Sequence, residues 1–203
     1  MKKIPMLFTL EFDEKGNSTV NFDKFNDKAI AALTSGDATP TQKVDGTAMM
    51  LDDDGNWWAR RIVKPGKKIP ADFLEVTFDE NTGKRVGWIP AQDSPFAKFW
   101  RKALDNADGE FVPASYELLS ERINGNPENV DKDTLVQHGT QPLEGFPSVG
   151  EILGADNAHD LLEPIFADFR ERGIEGVVWW VNGEPVVKLR AKDFFPEMDS
   201  RNR

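Results

Sequence analysis

Six charged residues fall on four short apolar-rich segments of this chain. Lys43, Asp45 and Arg60 lie on two segments joined by Asp54-Gly55, and Glu175, Lys188 and Arg190 on two joined by Asn182-Gly183. Asp-Gly and Asn-Gly between apolar runs are hairpin signals. A two-residue turn at the first site sets Met49 opposite Arg60, Thr47 opposite Ile62 and Asp45 opposite Lys64. Lys43, Asp45, Thr47, Arg60 and Lys64 then share one face. The same turn at the second site sets Glu175 opposite Arg190 and Val177 opposite Lys188. A slip of one residue reverses either assignment. If both faces line one cleft, the site holds several cations and two carboxylates, which suits a polyphosphate bound with a divalent cation. The alternative is a pair of exposed hairpins whose charges pair across strands, each pair contributing well under ~1 kcal/mol.

The elements that must position these residues are mostly strands. Met6 to Phe12 reads as a strand, and a short helix is expected around Ala29 to Leu33. Ala38 to Gln42 is extended, because Thr39 precedes Pro40. Strands are expected over Lys43 to Leu51, Trp57 to Val63, Phe73 to Asp79 and Arg85 to Ile89, with Asn81-Thr82-Gly83 as a turn. Ser94 as N-cap and Pro95 at the first position predict a helix that buries Phe96, Phe99, Trp100, Ala103 and Leu104. Phe111 to Leu119 is a further strand. Ile123 to Pro147 is a long polar connection containing Asn124-Gly125-Asn126-Pro127, and loops of this length are usually functional or mobile. A second helix is expected from Pro164 to Gly173, and the second hairpin follows over Ile174 to Ala191. The predicted fold class is α+β, with largely antiparallel sheets, inserted helices and a single domain over 1–203.

Composition narrows the chemistry. The chain has 203 residues, no Cys and two His, which excludes disulfides, thiolate zinc sites and a His-rich metal centre. Its formal charge of −10 argues against indiscriminate coating of nucleic acid, but Arg60, Arg61, Lys64, Lys67 and Lys68 form a local basic stretch without an acid. That stretch is either a solvated face or a phosphate-facing patch. No run approaches a membrane span, and Met1-Lys2-Lys3-Ile4-Pro5 lacks the apolar core of a signal peptide, so no membrane partner and a cytoplasmic location are expected. His138 is expected to hydrogen-bond locally, and Asp52 to Asp54 to serve the turn.

Four segments occur in a telling order: Lys43-Val44-Asp45-Gly46, Ser115-Tyr116-Glu117-Leu118-Leu119, Ile174-Glu175-Gly176-Val177-Val178 and Val186-Val187-Lys188-Leu189-Arg190. As a set they resemble motifs I, III, IV and V of the covalent nucleotidyltransferases, the superfamily of ATP-dependent RNA and DNA ligases and mRNA capping enzymes. Leu51 to Arg61 and Arg122 to Pro127 look like small RNA ligases in particular. The resemblance covers nearly the whole chain and implies a single nucleotidyltransferase (ATP-grasp-like) domain. Because the chain ends soon after Arg190, no appended oligonucleotide-binding domain is expected.

The resemblance implies an ATP-dependent RNA ligase that joins 5′-phosphate and 3′-hydroxyl ends through lysyl-AMP. Lys43 would be the nucleophile, with Asp45 and Gly46 beside it. Glu117 would hold the ribose, and Arg60 would be a further ribose or phosphate contact. Glu175 would sit near the lysine and help organise Mg²⁺, for which Mn²⁺ is a substitute. Lys188 would contact the α-phosphate, and Arg190 would be a second phosphate or lysine neighbour. RNA ends and ATP are the implied partners, and a monomer is expected. One departure is Ala48, where many DNA ligases carry an arginine; Arg60 would substitute for it. The chemistry asks for such residues, because lysine attacks phosphorus only as the neutral amine, against an ordinary pKa of ~10.4. Neighbouring cations favour that form and offset charge on the phosphates. Two rival readings remain: a nucleotidyltransferase that moves AMP to DNA or a protein, and a non-catalytic nucleotide- or RNA-binding module.

Overall fold

Asparagine, serine and glycine at element ends decide where this chain turns. The computed structural model describes residues 3–14, 18–80 and 82–196. In it β1 (Phe8–Phe12) and β2 (Ser18–Phe25) form an antiparallel pair, followed by α1 (Asp27–Leu33) and β3 (Thr39–Lys43). Asn26 caps α1 by accepting the Lys28 amide at 3.1 Å. Next come β4 (Thr47–Leu51), β5 (Trp57–Val63), β6 (Leu74–Asp79), β7 (Lys84–Pro90), α2 (Ala97–Asp105), β8 (Ala114–Leu119) and β9 (Thr134–Gln137). The order ends with α3 (Val149–Gly154), α4 (Ala158–Arg172), β10 (Gly176–Val181), β11 (Glu184–Arg190) and α5 (Ala191–Phe194). Helices mixed with antiparallel sheets are the α+β class expected. Asn81, the first residue of one expected turn, lies outside the described residues, while Gly83 of that turn has φ +63°.

Two compact units make up the chain. One is built on Asp45–His138. Its six-stranded sheet has the order β6-β7-β5-β4-β8-β9 and is antiparallel throughout. Met49, Ala59, Tyr116 and Leu118 point from one face into a core shared with Ala103 of α2. The other unit consists of Ile4–Val44 and the chain from Gly139 onward. It holds the β1-β2 pair and the antiparallel sheet β11-β10-β3. Val177, Trp179, Val187 and Leu189 are fully buried on one face of that sheet, in a core with Phe8, Leu162 and Phe166. Each such side chain contributes about 1.5–3 kcal/mol by leaving water. Side chains alternate along a strand, so Gly176, Val178, Lys188 and Arg190 take the opposite face.

Both hairpins depart from the expected register. The first loop has three residues rather than two: Asp52 N–H donates to the Asn56 carbonyl at 3.0 Å, and Gly55 takes φ +81°. The Asp52 carboxylate builds this loop, accepting the Asn56 amide at 2.7 Å, the Asp54 amide at 3.1 Å and Trp58 Nε1–H at 2.8 Å. Met49 therefore lies opposite Ala59, not Arg60. The second turn does have two residues, with Asn182 at φ +51° and Gly183 at +79°. A bulge beside Pro185, which has no N–H for the ladder, then shifts the pairing. Arg190 consequently faces Gly176 rather than Glu175, and Lys188 faces Val178 rather than Val177.

Helix ends also differ. The second long helix begins at Ala158, capped by Asn157 at 3.0 and 3.4 Å, and carries Pro164 inside it rather than at its start. Gly173 closes it at φ +72°, as expected. In α2 the first helical residue is Ala97, and Ser94 receives the Phe96 amide at 3.2 Å one turn earlier. β2, β9, α3 and α5 were not anticipated. Of these, α3 starts with a Ser148/Glu151 capping box.

Candidate functional site

Lys43 is the last residue of β3, and the register across the three-stranded sheet sets Lys43, Gly176 and Arg190 in one row. Thr41, Val178 and Lys188 form the next row. Lys43, Lys188 and Arg190 therefore leave the sheet on the face opposite the core. No side chain stands between Lys43 and Arg190 in their row, because the middle position is glycine. Only glycine fits there: a Cβ on Gly176 would lie 2.2 Å from the Leu189 carbonyl oxygen, and φ is +156°. Glu175 precedes this glycine, and its carboxylate accepts a hydrogen bond from Lys43 Nζ. Both side chains are about three-quarters buried. The Glu175 carbonyl takes the Ala191 amide at 2.8 Å, which ties the start of β10 to the end of β11.

Arg190 has a partner that the sequence reading did not name. Asp193 receives Arg190 Nε at 3.1 Å, an Nη at 2.6 Å and the Arg190 amide at 2.9 Å. The Asp193 side chain is only 5 % exposed, so this two-pronged pair is well shielded.

The six-stranded sheet carries the remaining residues. Met49, Ala59 and Tyr116 point into its core, so Ala48, Arg60 and Glu117 project from the opposite face, with Glu117 directly across from Ala48. Glu117 is buried, and Oε1 accepts the Gly46 amide at 3.0 Å. Oε2 lies 2.8 Å from His138 Nε2, whose Nδ1 lies 3.0 Å from Ser115 Oγ. Arg60, opposite Trp88, has its Nε buried with no hydrogen-bond partner. Asp45 and Gly46 are held by the segment after β8. Asn124 Nδ2 donates to Asp45 Oδ1 and to the Gly46 carbonyl, both at 2.8 Å, and Glu128 Oε1 accepts the Asp45 amide at 2.9 Å. A Cβ on Gly46 would sit 2.3 Å from the Leu118 carbonyl oxygen, so glycine is what lets this backbone reach β8.

The expected strand Lys43 to Leu51 is thus two strands in two sheets, and the unit boundary falls inside Lys43-Val44-Asp45-Gly46. Lys43, Glu175, Lys188 and Arg190 belong to one unit; Asp45, Gly46, Arg60 and Glu117 belong to the other. The expected common face of Lys43, Asp45, Thr47, Arg60 and Lys64 does not form, because of that break and the longer hairpin loop. Ser115, Asn124, Glu128 and Asp193 were missed as contributors, and His138, expected to bond locally, instead meets the side chains of Ser115 and Glu117, 23 and 21 residues away. Asn124-Gly125-Asn126 was legible as a turn, and Asn124 and Asn126 do have φ +53° and +58°. Arg61, Lys64, Lys67 and Lys68 of the basic stretch are exposed.

Among the described residues, no group of three or more His, Cys, Asp and Glu is placed to hold a metal ion by itself. Mg²⁺ does not require one: it takes one or two carboxylates with phosphate oxygens and waters, and Glu175 offers such an oxygen donor. No helix among the described residues is long and apolar enough to cross a membrane. In comparisons with known proteins, no family model matches the chain and no curated protein does.

Proposed function

We propose that the chain is an ATP-dependent nucleotidyltransferase of the RNA-ligase type, which carries AMP on Lys43 and passes it to an RNA 5′-phosphate before a 3′-hydroxyl seals the strand. The observation that supports this most is the pairing of Lys43 with Glu175 on a sheet face that also bears Lys188 and Arg190. A lysine held by a carboxylate beside two further cations suits attack on phosphorus. Glu175 orients the amine and takes its proton. The new bond is Nζ–Pα; the bond from Pα to the pyrophosphate oxygen breaks, and pyrophosphate leaves. Lys188 and Arg190 offset the charge that builds on the phosphate oxygens. Mg²⁺, when bound with the triphosphate, adds to that charge neutralisation. Glu117 serves as the ribose acceptor. Arg60, with its buried unpartnered Nε–H, serves as a donor to ribose or phosphate. The exposed stretch Arg61 to Lys68 provides cations for the RNA backbone.

Intact mass after incubation with ATP and Mg²⁺ tests the reading. One AMP is gained by the wild type and none by Lys43→Ala. No gain in the wild type removes the enzyme reading and leaves a binding module. Normal charging by both Glu175→Gln and Lys188→Ala overturns the assignment of the three-stranded face. The charged protein is then offered nicked, looped and single-stranded RNA beside DNA and protein acceptors. Sealing of RNA alone is the expected outcome, and AMP appearing on DNA or protein instead names a different acceptor.

A further inference from the structure

Glu117 is held on two sides by groups that the proposed reaction does not use. The Gly46 amide meets Oε1 at 3.0 Å, and His138 Nε2 meets Oε2 at 2.8 Å. His138 is in turn met at Nδ1 by Ser115 Oγ at 3.0 Å. The side chains of His138 and Glu117 are 17 % and 12 % exposed, so water has little room to replace a lost donor. We infer that His138 is a positioning residue for nucleotide binding, fixing the Glu117 carboxylate so that its remaining lone pairs meet the two hydroxyls of a vicinal diol. This rests on the reading of Glu117 as the ribose acceptor.

Donor and acceptor roles follow from the chemistry of the three groups. An ionised carboxylate only accepts, so the hydrogen between His138 and Glu117 is on Nε2. In neutral imidazole that makes Nδ1 the acceptor, and the Ser115 hydroxyl must donate to it. A carboxylate has about four acceptor positions, and the two fixed donors use one on each oxygen. A ribose diol supplies two hydroxyl donors for those that remain, whereas a 2′-deoxyribose supplies one. With His138 removed, the carboxylate keeps only the Gly46 amide and can rotate about its last torsion. The loss falls on binding of the sugar, not on the step at Lys43. Gly46 and His138 also lie at opposite ends of the segment Asp45–His138, so one carboxylate joins the start of that segment to its end.

The test uses the full chain and four proteins: wild type, His138→Phe, His138→Gln and Ser115→Ala. AMP uptake on Lys43 is followed against ATP and against 2′-deoxy-ATP. In His138→Phe, KM for ATP is expected to rise about tenfold or more with the maximal rate within about threefold, and preference for the ribonucleotide falls in step. His138→Gln, whose amide N–H takes the place of Nε2–H, recovers most of the KM. Ser115→Ala gives a smaller rise of the same kind and covers the case in which phenylalanine disturbs folding. An unchanged KM in His138→Phe, a loss confined to the maximal rate, or no rescue by glutamine overturns the inference. ¹⁵N NMR of the imidazole gives a readout free of catalysis: Nε2–H is expected, and Nδ1–H overturns it. If the wild type takes up no AMP, the proposed function fails on its own. The tautomer, and binding of adenosine against 2′-deoxyadenosine, then still decide the role of His138.

Discussion

The two sheets satisfy the polar groups on their core-free faces in different ways. On the three-stranded sheet, cations meet carboxylates: Lys43 meets Glu175, and Arg190 meets Asp193. On the six-stranded sheet, the buried carboxylate of Glu117 is met by an amide and an imidazole, while Arg60, on the same face with β4 between, keeps a buried Nε–H without a partner. A buried donor left unsatisfied costs about 1–3 kcal/mol. The first face therefore pairs both Lys43 and Arg190 with carboxylates in the free protein, although Trp180 Nε1 on that face is also buried without a partner. On the second the orphaned donor belongs to a cation, which an incoming anion would satisfy. Under the proposed function this separates a place where a proton moves from a place where a nucleoside is gripped.

Replacing each glutamate by its amide breaks that comparison most directly. Glu175→Gln removes the proton acceptor and is expected to slow AMP uptake by about 10²-fold or more with little change in KM for ATP. Glu117→Gln keeps the shape but swaps an acceptor-only group for one that also donates, and should act mainly on KM. If both variants alter the same kinetic parameter, the division of labour is wrong. The paired face is next tested by stability. Arg190→Leu leaves the Asp193 carboxylate nearly buried without its cation and should cost about 2–3 kcal/mol in urea unfolding. A midpoint equal to wild type would mean that Asp193 finds water or another donor. Arg60→Met runs the opposite way. It removes the orphaned donor, so the nucleotide-free protein should gain about 1 kcal/mol while losing the rise in melting temperature that ATP gives the wild type. A variant less stable than wild type without ATP would show that Arg60 is already satisfied.

Composition and turn chemistry made the fold class legible, but single-residue geometry decided the rest. Asp54-Gly55 announced a hairpin correctly. Whether its loop has two residues or three depended on Asp52, whose carboxylate gathers two loop amides and the Trp58 indole. That one residue of loop length reversed the face of Arg60 relative to Met49. In the second hairpin the turn was right, and Pro185 introduced the bulge that moved Arg190 from Glu175 to Gly176. That shift is what brings Lys188 and Arg190 to the face of Lys43, since Gly176 pairs with both Lys43 and Arg190, and their spacing of two keeps Lys188 on the same face. The supporting residues were illegible for a different reason. Asn124, Glu128 and His138 are defined by partners far along the chain, such as Asp45 and Glu117, and no local period encodes them. Ser148 and Glu151 did carry a readable capping signal.

Two carboxylates sharpen the comparison at the level of turns, one in each unit. In the first hairpin loop, the Trp58 Nε1–H bond, aided by the Asn56 amide, holds the Asp52 carboxyl below its ordinary value. At the start of α3, the Ser148 hydroxyl and then the Ser148 amide do the same for Glu151. A folded-state pKa below the unfolded value means stabilisation that is present at neutral pH and is lost as pH falls through the folded value. Protection of the Asn56 amide against hydrogen exchange should therefore decline in acid as Asp52 protonates, and that of the Glu151 amide, which donates to Ser148 Oγ, as Glu151 protonates. Asp52→Asn should flatten the first decline and leave the second, and Glu151→Gln should do the reverse. The effects are small because both groups are exposed. A single variant that changed both declines together would mean that acid acts on the whole molecule at once rather than on these two turns.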